Sequence, residues 1–428
     1  MMTIKDNGAI MKKWVLGLCS LLIVTYSSAV EIAVGEGRVA AKPIAIVPFA
    51  GSTGDESVDF IVAADLKQSG VFAPIAPTAY QARPSQANQV DYGLFQGVGA
   101  AYVVVGELSG GSIRFALLDA FQQNIVGSYV VNVPRGNLRH GAHQVSDIIL
   151  EKLTGVRGAF ATRIAYIHES GLRESRAYHL MMADMDGYNS VTLLTSRAPI
   201  MSPRFSPDAK QLAYVTFEGQ QQQIVTHDIA TGRRGLVSNA PGINSAPAWS
   251  PDGTKIAFVL SKDGNPEIYF KKLATNRLVR VTDNPAIETE PVWSPDGQSI
   301  YFTSNRGGSP QLYRINIGTG ALSRITGTGS YSAGADVSSD GSKIALARNN
   351  GGRFVVGTMG VNGGAFAGVS QGFIDETPRF SPNGQMLIFT SVENNRSVLK
   401  IVNVDGSGTN TLSSSGQIRD PDWSTYIQ

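Results

Sequence analysis

One twelve-residue pattern recurs along most of the chain and constrains its fold more than any other feature. The copies are PRFSPDAKQLAY (203–214), PAWSPDGTKIAF (247–258), PVWSPDGQSIYF (291–302), ADVSSDGSKIAL (335–346) and PRFSPNGQMLIF (378–389), and PDWS (421–424) begins the pattern once more. The serines Ser206, Ser250, Ser294, Ser338, Ser381 and Ser424 are spaced 44, 44, 44, 43 and 43 apart. A fixed period of this size marks a repeat architecture.

The chemistry of one unit predicts its local structure. An apolar residue such as Trp249 or Trp293 ends one strand, and Ser-Pro-Asp-Gly makes a tight turn. Pro presets φ, Asp bonds its own backbone, and Gly takes the positive-φ position. A second strand follows at once (KIAFV, SIYFT, KIALA), then a third (267–273, 311–317, 397–404) and a short fourth (277–282, 321–326). Four strands in roughly 44 residues is the period of a β-propeller blade.

The two ends of the repeat fix the number of blades. Second strands read at 163–167, 211–215, 255–259, 299–303, 343–347 and 386–390, which makes six. The first of these has no P-x-W-S segment before it, and the last P-x-W-S segment has no second strand after it. Together they complete one blade, so a six-bladed propeller over 159–428 closes on itself and leaves no open edge between its first and last blades.

Ahead of the propeller the texture changes. Lys12 and Lys13, the apolar run Trp14–Tyr26 and the small residues Ser27-Ser28-Ala29 read as an export signal over 1–29. Thirteen apolar residues are too few to span a bilayer comfortably, and no other stretch approaches the length required. The single cysteine, Cys19, falls inside the signal, so the exported chain would hold no disulfide. Removing the signal leaves 33 basic and 33 acidic residues, which excludes nucleic-acid binding through a bulk basic field. Gly is roughly 11% of the chain against a usual ~7%, in keeping with many tight turns.

Residues 30–41 read as a flexible partner-binding segment that opens with the alternating strand Val30-Glu31-Ile32-Ala33-Val34. Residues 42–158 read as an α/β domain. Strands are expected at 42–50, 101–108, 112–120 and 124–134. Helices are expected at 59–70, ended by Gly70, and at 137–155, capped by Asn137 and closed by Gly155.

In a propeller of this kind the residues just before each P-x-W-S strand lie at one mouth of the central channel, opposite the Ser-Pro-Asp-Gly turns. Glu288, Glu290, Asp336, Asp375, Glu376 and Asp420 make that mouth acidic, and Arg419 is its basic member. Such a mouth suits a basic or amide-rich partner loop. Catalytic chemistry finds little support. Gly368-Val369-Ser370-Gln371-Gly372 matches a nucleophile-elbow pattern, but no histidine follows His227 and no helix is expected after it. His140 and His143 lie three apart on the second helix and read as surface or packing residues. Trp249, Trp293 and Trp423 read as blade core.

The chain resembles the TolB family, the periplasmic component of the Tol–Pal system of Gram-negative envelopes. IVAADLKQSGVFAPI (61–75), HQVSDIILEKLTGVRGAFATRIAYI (143–167), PVWSPDGQSIYFTS and DVSSDGSKIA carry the likeness. The resemblance implies a periplasmic interaction hub and not an enzyme. It implies Pal, the peptidoglycan-associated lipoprotein, in the propeller's funnel and TolA at the N-terminal segment Val30–Val34. It also implies a role in outer-membrane integrity and envelope constriction at division, and bacteriocins that exploit the Pal site. Asn244, Ala246, Thr289, Glu290, Asp336, Glu376 and Thr377 match positions the family uses around Pal, while Ile243 stands where some relatives carry a polar residue. No cofactor is expected, although the family can hold calcium in the channel. A periplasmic scaffold for outer-membrane protein assembly is the alternative function.

Overall fold

The computed structural model describes residues 40–427 apart from 55, 134–136, 173–174, 220, 328–330 and 413–415. The export signal and Val30–Val34 lie outside the described residues. The account below concerns the compact unit Ala41–Gln428.

Its first part is a five-stranded sheet with order β2-β1-β3-β4-β5. The strands are β1 (Lys42–Ile46), β2 (Phe72–Ile75), β3 (Tyr102–Ser109), β4 (Ser112–Asp119) and β5 (Asn124–Asn132). β1 runs parallel to both β2 and β3, and β3-β4-β5 is an antiparallel meander. Helices α1 (Val58–Gln68) and α3 (Leu138–Thr154) share one core with the sheet, through Ile61, Val62 and Leu66 from α1 and Val145, Ile149 and Leu150 from α3. A short α2 (Tyr92–Gly97) and Tyr80 close a second core around Phe95, Val103 and Val105.

The expected helix signals hold. Asn137 Oδ1 accepts the His140 N–H at 3.2 Å, and α3 ends at Gly155 with φ +78°. β2 and α2 were not foreseen, because four residues and a six-residue turn with two glycines carry too little periodicity to read.

The remaining chain forms six four-stranded sheets. The closing blade pairs Gln417–Trp423 with Arg163–Ser170, then Ala177–Asp184 and Val191–Ser196, in the order expected from the two half-units. Ser424 Oγ accepts the Arg163 N–H at 2.9 Å, and Trp423 Nε1 donates to Thr162 Oγ1 at 2.8 Å, so the seam is held beyond its ladder.

The repeated turn behaves as its residues require. In the second copy the Gly253 N–H donates to the Ser250 carbonyl at 2.8 Å, and Gly253 has φ +67°. The Ser hydroxyl then organises the turn. Ser338 Oγ donates to Asp340 at 2.6 Å while it accepts the Lys343 N–H at 2.9 Å. Where the first copy has Ala209 in place of Gly, the backbone still adopts φ +55°.

The α/β part and the propeller share a core. Ile164, Ala183, Met185, Met386, Leu399 and Ile418 pack in the same cluster as Phe72, Val145 and Phe160. Polar ties cross the same junction. Asn403 Nδ2 donates to the Gln68 carbonyl at 2.9 Å, and Asn383 Nδ2 to the Arg157 carbonyl at 3.0 Å.

Candidate functional site

The innermost strands of the six blades are Ile200–Phe205, Asn244–Trp249, Glu288–Trp293, Ser332–Val337, Asp375–Phe380 and Gln417–Trp423. Each carries a one-residue bulge at the same place. In the second blade Ser245 faces Val259 and Ala248 faces Ala257, so three steps on the inner strand match two on its neighbour. The same shift occurs in the other five blades. A bulge bends its strand and re-aims the side chain it carries.

The bulged residues are Ser202, Ala246, Glu290, Gly334, Thr377 and Asp420, and all six have φ between +50° and +66°. Five of them are not glycine, and the left-handed region costs an ordinary L-residue about 1–2 kcal/mol. The residue after each bulge is Pro in five blades and Ala335 in the other. Pro lacks an N–H and therefore fits where the ladder is interrupted.

Five of these residues line one end of the central channel, a cavity of about 440 Å³ lined by all six inner strands, and Asp420 completes the ring through its bond to Ser202. Ala246, Glu290 and Thr377, assigned to partner contact from the sequence, belong to this ring. Beside it lie Thr289, half-buried, and Glu376, exposed.

The acids of the mouth separate into three levels. Glu376 is the most open. Desolvation raises its pKa, Asp420 and Glu290 add to the rise, and Arg419 opposes it. Glu290 and Asp420 reach across blade boundaries. Glu290 Oε2 accepts the Gly334 N–H and the Thr303 hydroxyl, each at 2.8 Å, and Asp420 Oδ2 accepts the Ser202 N–H at 3.0 Å. Burial works against the Arg419 cation, but Asp420 and Glu169, at 2.8 and 2.7 Å, hold it charged.

Two residues deeper, the channel waist is ringed by Arg204, Ala248, Val292, Asp336, Arg379 and Asp422. Asp336 faces the channel space and is half-buried. Desolvation raises its pKa to about 7 and that of Asp422 to about 6. Asp336 Oδ2 accepts the Phe380 N–H at 2.8 Å, and Asp422 Oδ2 the Phe205 N–H at 2.7 Å. Arg204 and Arg379 approach Asp422 at 3.9 and 3.6 Å. Calcium takes about six to eight oxygen ligands. Two carboxylates already bonded to backbone amides, with two guanidinium groups alongside, do not fit that requirement.

Three sequence assignments need correction. Asn244 is fully buried, and its amide is used at the crossing from the preceding blade by Ser238 Oγ at 2.6 Å, the Ala240 N–H at 3.1 Å and the Ala240 carbonyl at 2.6 Å. Glu288 is fully buried against Ser304 and Arg306, each at 2.9 Å. Asp375 is fully buried and accepts the Gly372 N–H at 2.7 Å. All three occupy the position two residues before the bulge, where the strand enters the blade and its side chain turns inward. They support the mouth and do not line it.

The sequence reading named Ile243 but missed the rest of an apolar arc on the rim. Ile243, Ile287, Tyr331 and Phe373 are exposed on four successive blades, at 39%, 51%, 39% and 64%. The signal was available at three of them, since Ile243, Ile287 and Tyr331 each stand one residue before the buried polar position of their repeat.

The nucleophile-elbow pattern is a blade turn. Ser370 Oγ accepts the Val356 N–H at 2.9 Å, and its flanks are a short strand and a bend. Ser170 Oγ lies 2.7 Å from His179 Nε2, but the other ring nitrogen meets the Thr195 hydroxyl and not a carboxylate, so no triad forms there.

Comparison with known proteins fits this architecture. The family described as "TolB beta propeller domain" matches residues 150–427, and "TolB amino-terminal domain" matches residues 30–126. The first match alone takes in well over half of the chain. The chain belongs to the TolB family. A crystal structure of TolB from Acinetobacter baumannii is 38% identical, with a TM-score of 0.83 over 91% of this chain and 98% of that one. The "Tol-Pal system protein TolB" of Methylococcus capsulatus is 41% identical over 240 residues, 55% of this chain and 56% of the relative. That of Actinobacillus pleuropneumoniae is 40% identical over 230 residues, 52% of this chain and 53% of the relative. These alignments span about half the length of the curated TolB relatives. Among the described residues no helix is long and apolar enough to cross a membrane.

Proposed function

We propose that this TolB chain is a periplasmic interaction hub of a Tol–Pal system, holding Pal in the channel mouth and TolA through Val30–Val34, and that it is not an enzyme. The observation that carries the reading is the construction of the mouth. Six bulges open a socket whose centre is acidic, at Glu290, Glu376 and Asp420, and whose rim is apolar along four blades. A protein loop with basic or amide groups at its tip and apolar flanks complements both features. Outer-membrane integrity, constriction at division and bacteriocin capture follow from that assignment.

The test is titration of the exported chain with Pal and with TolA separately. The expected outcome is binding of both, with loss of TolA alone on deletion of residues 30–41. Recovery of β-barrel assembly proteins from detergent-solubilised envelopes, without Pal, would overturn the reading in favour of an assembly scaffold.

A further inference from the structure

The sheet of the α/β part ends in β2 on one side and β5 on the other, and the two edges differ. β2 has four residues and carries Pro74, two features that keep an edge strand from pairing further. β5 (NIVGSYVVN) is nine residues long, with no charged residue and no proline. Ile125, Val126 and Val130 on it are 53%, 40% and 61% exposed. Its one irregularity is a bulge at Val126, where Gly127 faces Leu117 and Ile125 faces Leu118. From Gly127 to Asn132 the register with β4 is unbroken.

The Val133 N–H donates to the Gly111 carbonyl at 2.8 Å, one step beyond the Asn132–Ser112 pair. Groups that point toward and away from a neighbour alternate along an antiparallel strand. Val131, Tyr129 and Gly127 therefore turn their N–H and C=O groups to β4, and Ser128, Val130 and Asn132 turn theirs outward from the sheet. We propose that this edge pairs with the same edge of a second copy of the chain, antiparallel about a two-fold axis at Val130, to give a homodimer. The axis sets Val130 against its own counterpart, with Ser128 against Asn132 on either side. All three pairs are of the hydrogen-bonded type, with two backbone bonds in each.

The side chains point to a second copy as the occupant. In an isologous contact every residue must suit its own symmetry-related position, and this stretch does so. Tyr129 meets Val131, an aromatic against a β-branched residue. Asn132 Oδ1 accepts the Ser112 hydroxyl at 3.2 Å, which leaves its Nδ2 for the Ser128 hydroxyl of the other copy. Val130 meets Val130, and with no charge anywhere on β5 the two copies meet without like-charge opposition. An axis at Ser128 or Tyr129 would instead set Val130 or Asn132 against the bulged Val126, so Val130 is the centre that keeps the regular stretch paired. A ladder of this length falls short of the standard interface of about 800 Å² per partner, which places the dimer in the weak, reversible class. β5 shares no residue with the channel mouth, so the dimer and the proposed Pal contact stand or fall separately.

The experiment is sedimentation velocity on the exported chain from micromolar to millimolar concentration. The expected result is a monomer that converts to a dimer as concentration rises. Val130→Lys opposes two ammonium groups at the axis and should weaken dimerisation more than tenfold. The position is exposed, so the circular dichroism and melting temperature of this variant should match the parent's. Crosslinking gives a second readout, because the exported chain lacks Cys19 and holds no other cysteine. Val130→Cys should oxidise to a linked dimer, since hydrogen-bonded antiparallel partners stand about 5.5 Å apart at Cα, within the range of a disulfide. Ile125→Cys is also exposed, but in this register it stands ~30 Å from its counterpart and should crosslink more than tenfold more slowly. A chain that stays monomeric at millimolar concentration would overturn the proposal and leave the edge to a different chain. A dimer that survives Val130→Lys unchanged, or equal crosslinking at both cysteines, would overturn it too, since the copies would then meet elsewhere.

Discussion

Closure of the ring can be tested at a single side chain. Trp423 lies on the closing strand and is 7% exposed. Its indole N–H reaches Thr162 Oγ1 at 2.8 Å, across the seam between the chain's end and the propeller's start. Trp423→Ala removes a buried aromatic, at about 3–5 kcal/mol. It also leaves a buried hydroxyl without its donor, which adds about 1 kcal/mol. Trp423→Phe is a control with a built-in precedent, because Phe205 and Phe380 occupy the same repeat position in two other blades. It should lose little more than the hydrogen bond, about 1 kcal/mol. Trp249→Ala is a second control. Trp249 is only half-buried and stands away from the seam, so its loss should cost less. The assay is urea unfolding followed by far-UV circular dichroism, with the midpoints of the three variants compared. The expected order of stability is parent, Trp423→Phe, Trp249→Ala, Trp423→Ala. A Trp423→Ala variant that unfolds at the parent midpoint would refute closure by this strand.

Further outcomes follow from the mouth and the waist. Glu376→Lys reverses the most open acid, and like-charge contact should weaken Pal binding by roughly two decades with the far-UV spectrum unchanged. Asn244→Ala should do the reverse, lowering stability by about 1–3 kcal/mol through unpaired buried groups, because its amide bonds Ser238 of the preceding blade and Ala240 of the connection; a titration and a melt of each variant distinguish the two effects. The carboxyls of Asp336 and Asp422 have folded-state pKa values above their unfolded ones, so the fold holds their protons more tightly. Their contribution to stability is fully present below about pH 4 and is lost as pH rises through about 6–7. Asp336→Asn should flatten that dependence and be more stable than the parent at pH 8, and parallel urea-midpoint profiles would contradict this. Gly334→Val should cost about 1–2 kcal/mol from its left-handed backbone alone, since an added Cβ would meet nothing nearer than 3.8 Å; a melting temperature equal to the parent's would show that the bulge relaxes.

How far the sequence revealed this site depends on the range of the interactions involved. The Ser-Pro-Asp-Gly turns are local chemistry, so blade number, strand order and the closing half-blades were readable from spacing alone. The position of the bulge was not. It arises where the inner strand must curve around the channel, and neither Ala246 nor Thr377 has an intrinsic preference for φ > 0. The inward rotation of Asn244, Glu288 and Asp375 escaped for the same reason, because strand alternation is reset by one residue at a bulge. A polar residue on the approach to a propeller strand therefore looked exposed when it was buried. The buried ion-paired group of Asp65, His143 and Asp186 was invisible for a different reason. His143, Asp65 and Asp186 are 78 and 43 positions apart and meet only when α3 docks on the closing blade.

The repeated bulge also explains how one backbone can present six different chemistries. All six blades place their left-handed residue at the same repeat position, but its identity runs Ser, Ala, Glu, Gly, Thr, Asp around the ring. If geometry alone were required, glycine would be the least strained choice at each place. Glycine occurs only at Gly334, whose N–H is the donor to Glu290 Oε2 from the preceding blade. The other five keep side chains at a backbone cost of about 1–2 kcal/mol each. Two of those side chains, Glu290 and Asp420, bond to the backbone of the next blade, which gives them a structural role. Thr377 bonds within its own blade, to Thr390 Oγ1 at 3.1 Å. Ala246 has no polar group, and its methyl lies on the channel wall. Substituting Ala246 by Gly should therefore leave stability within about 1 kcal/mol of the parent. Any accompanying loss of Pal affinity would then report on the socket's shape and not on its folding. Unchanged affinity together with unchanged stability would mean that the partner does not reach the Ala246 side of the ring.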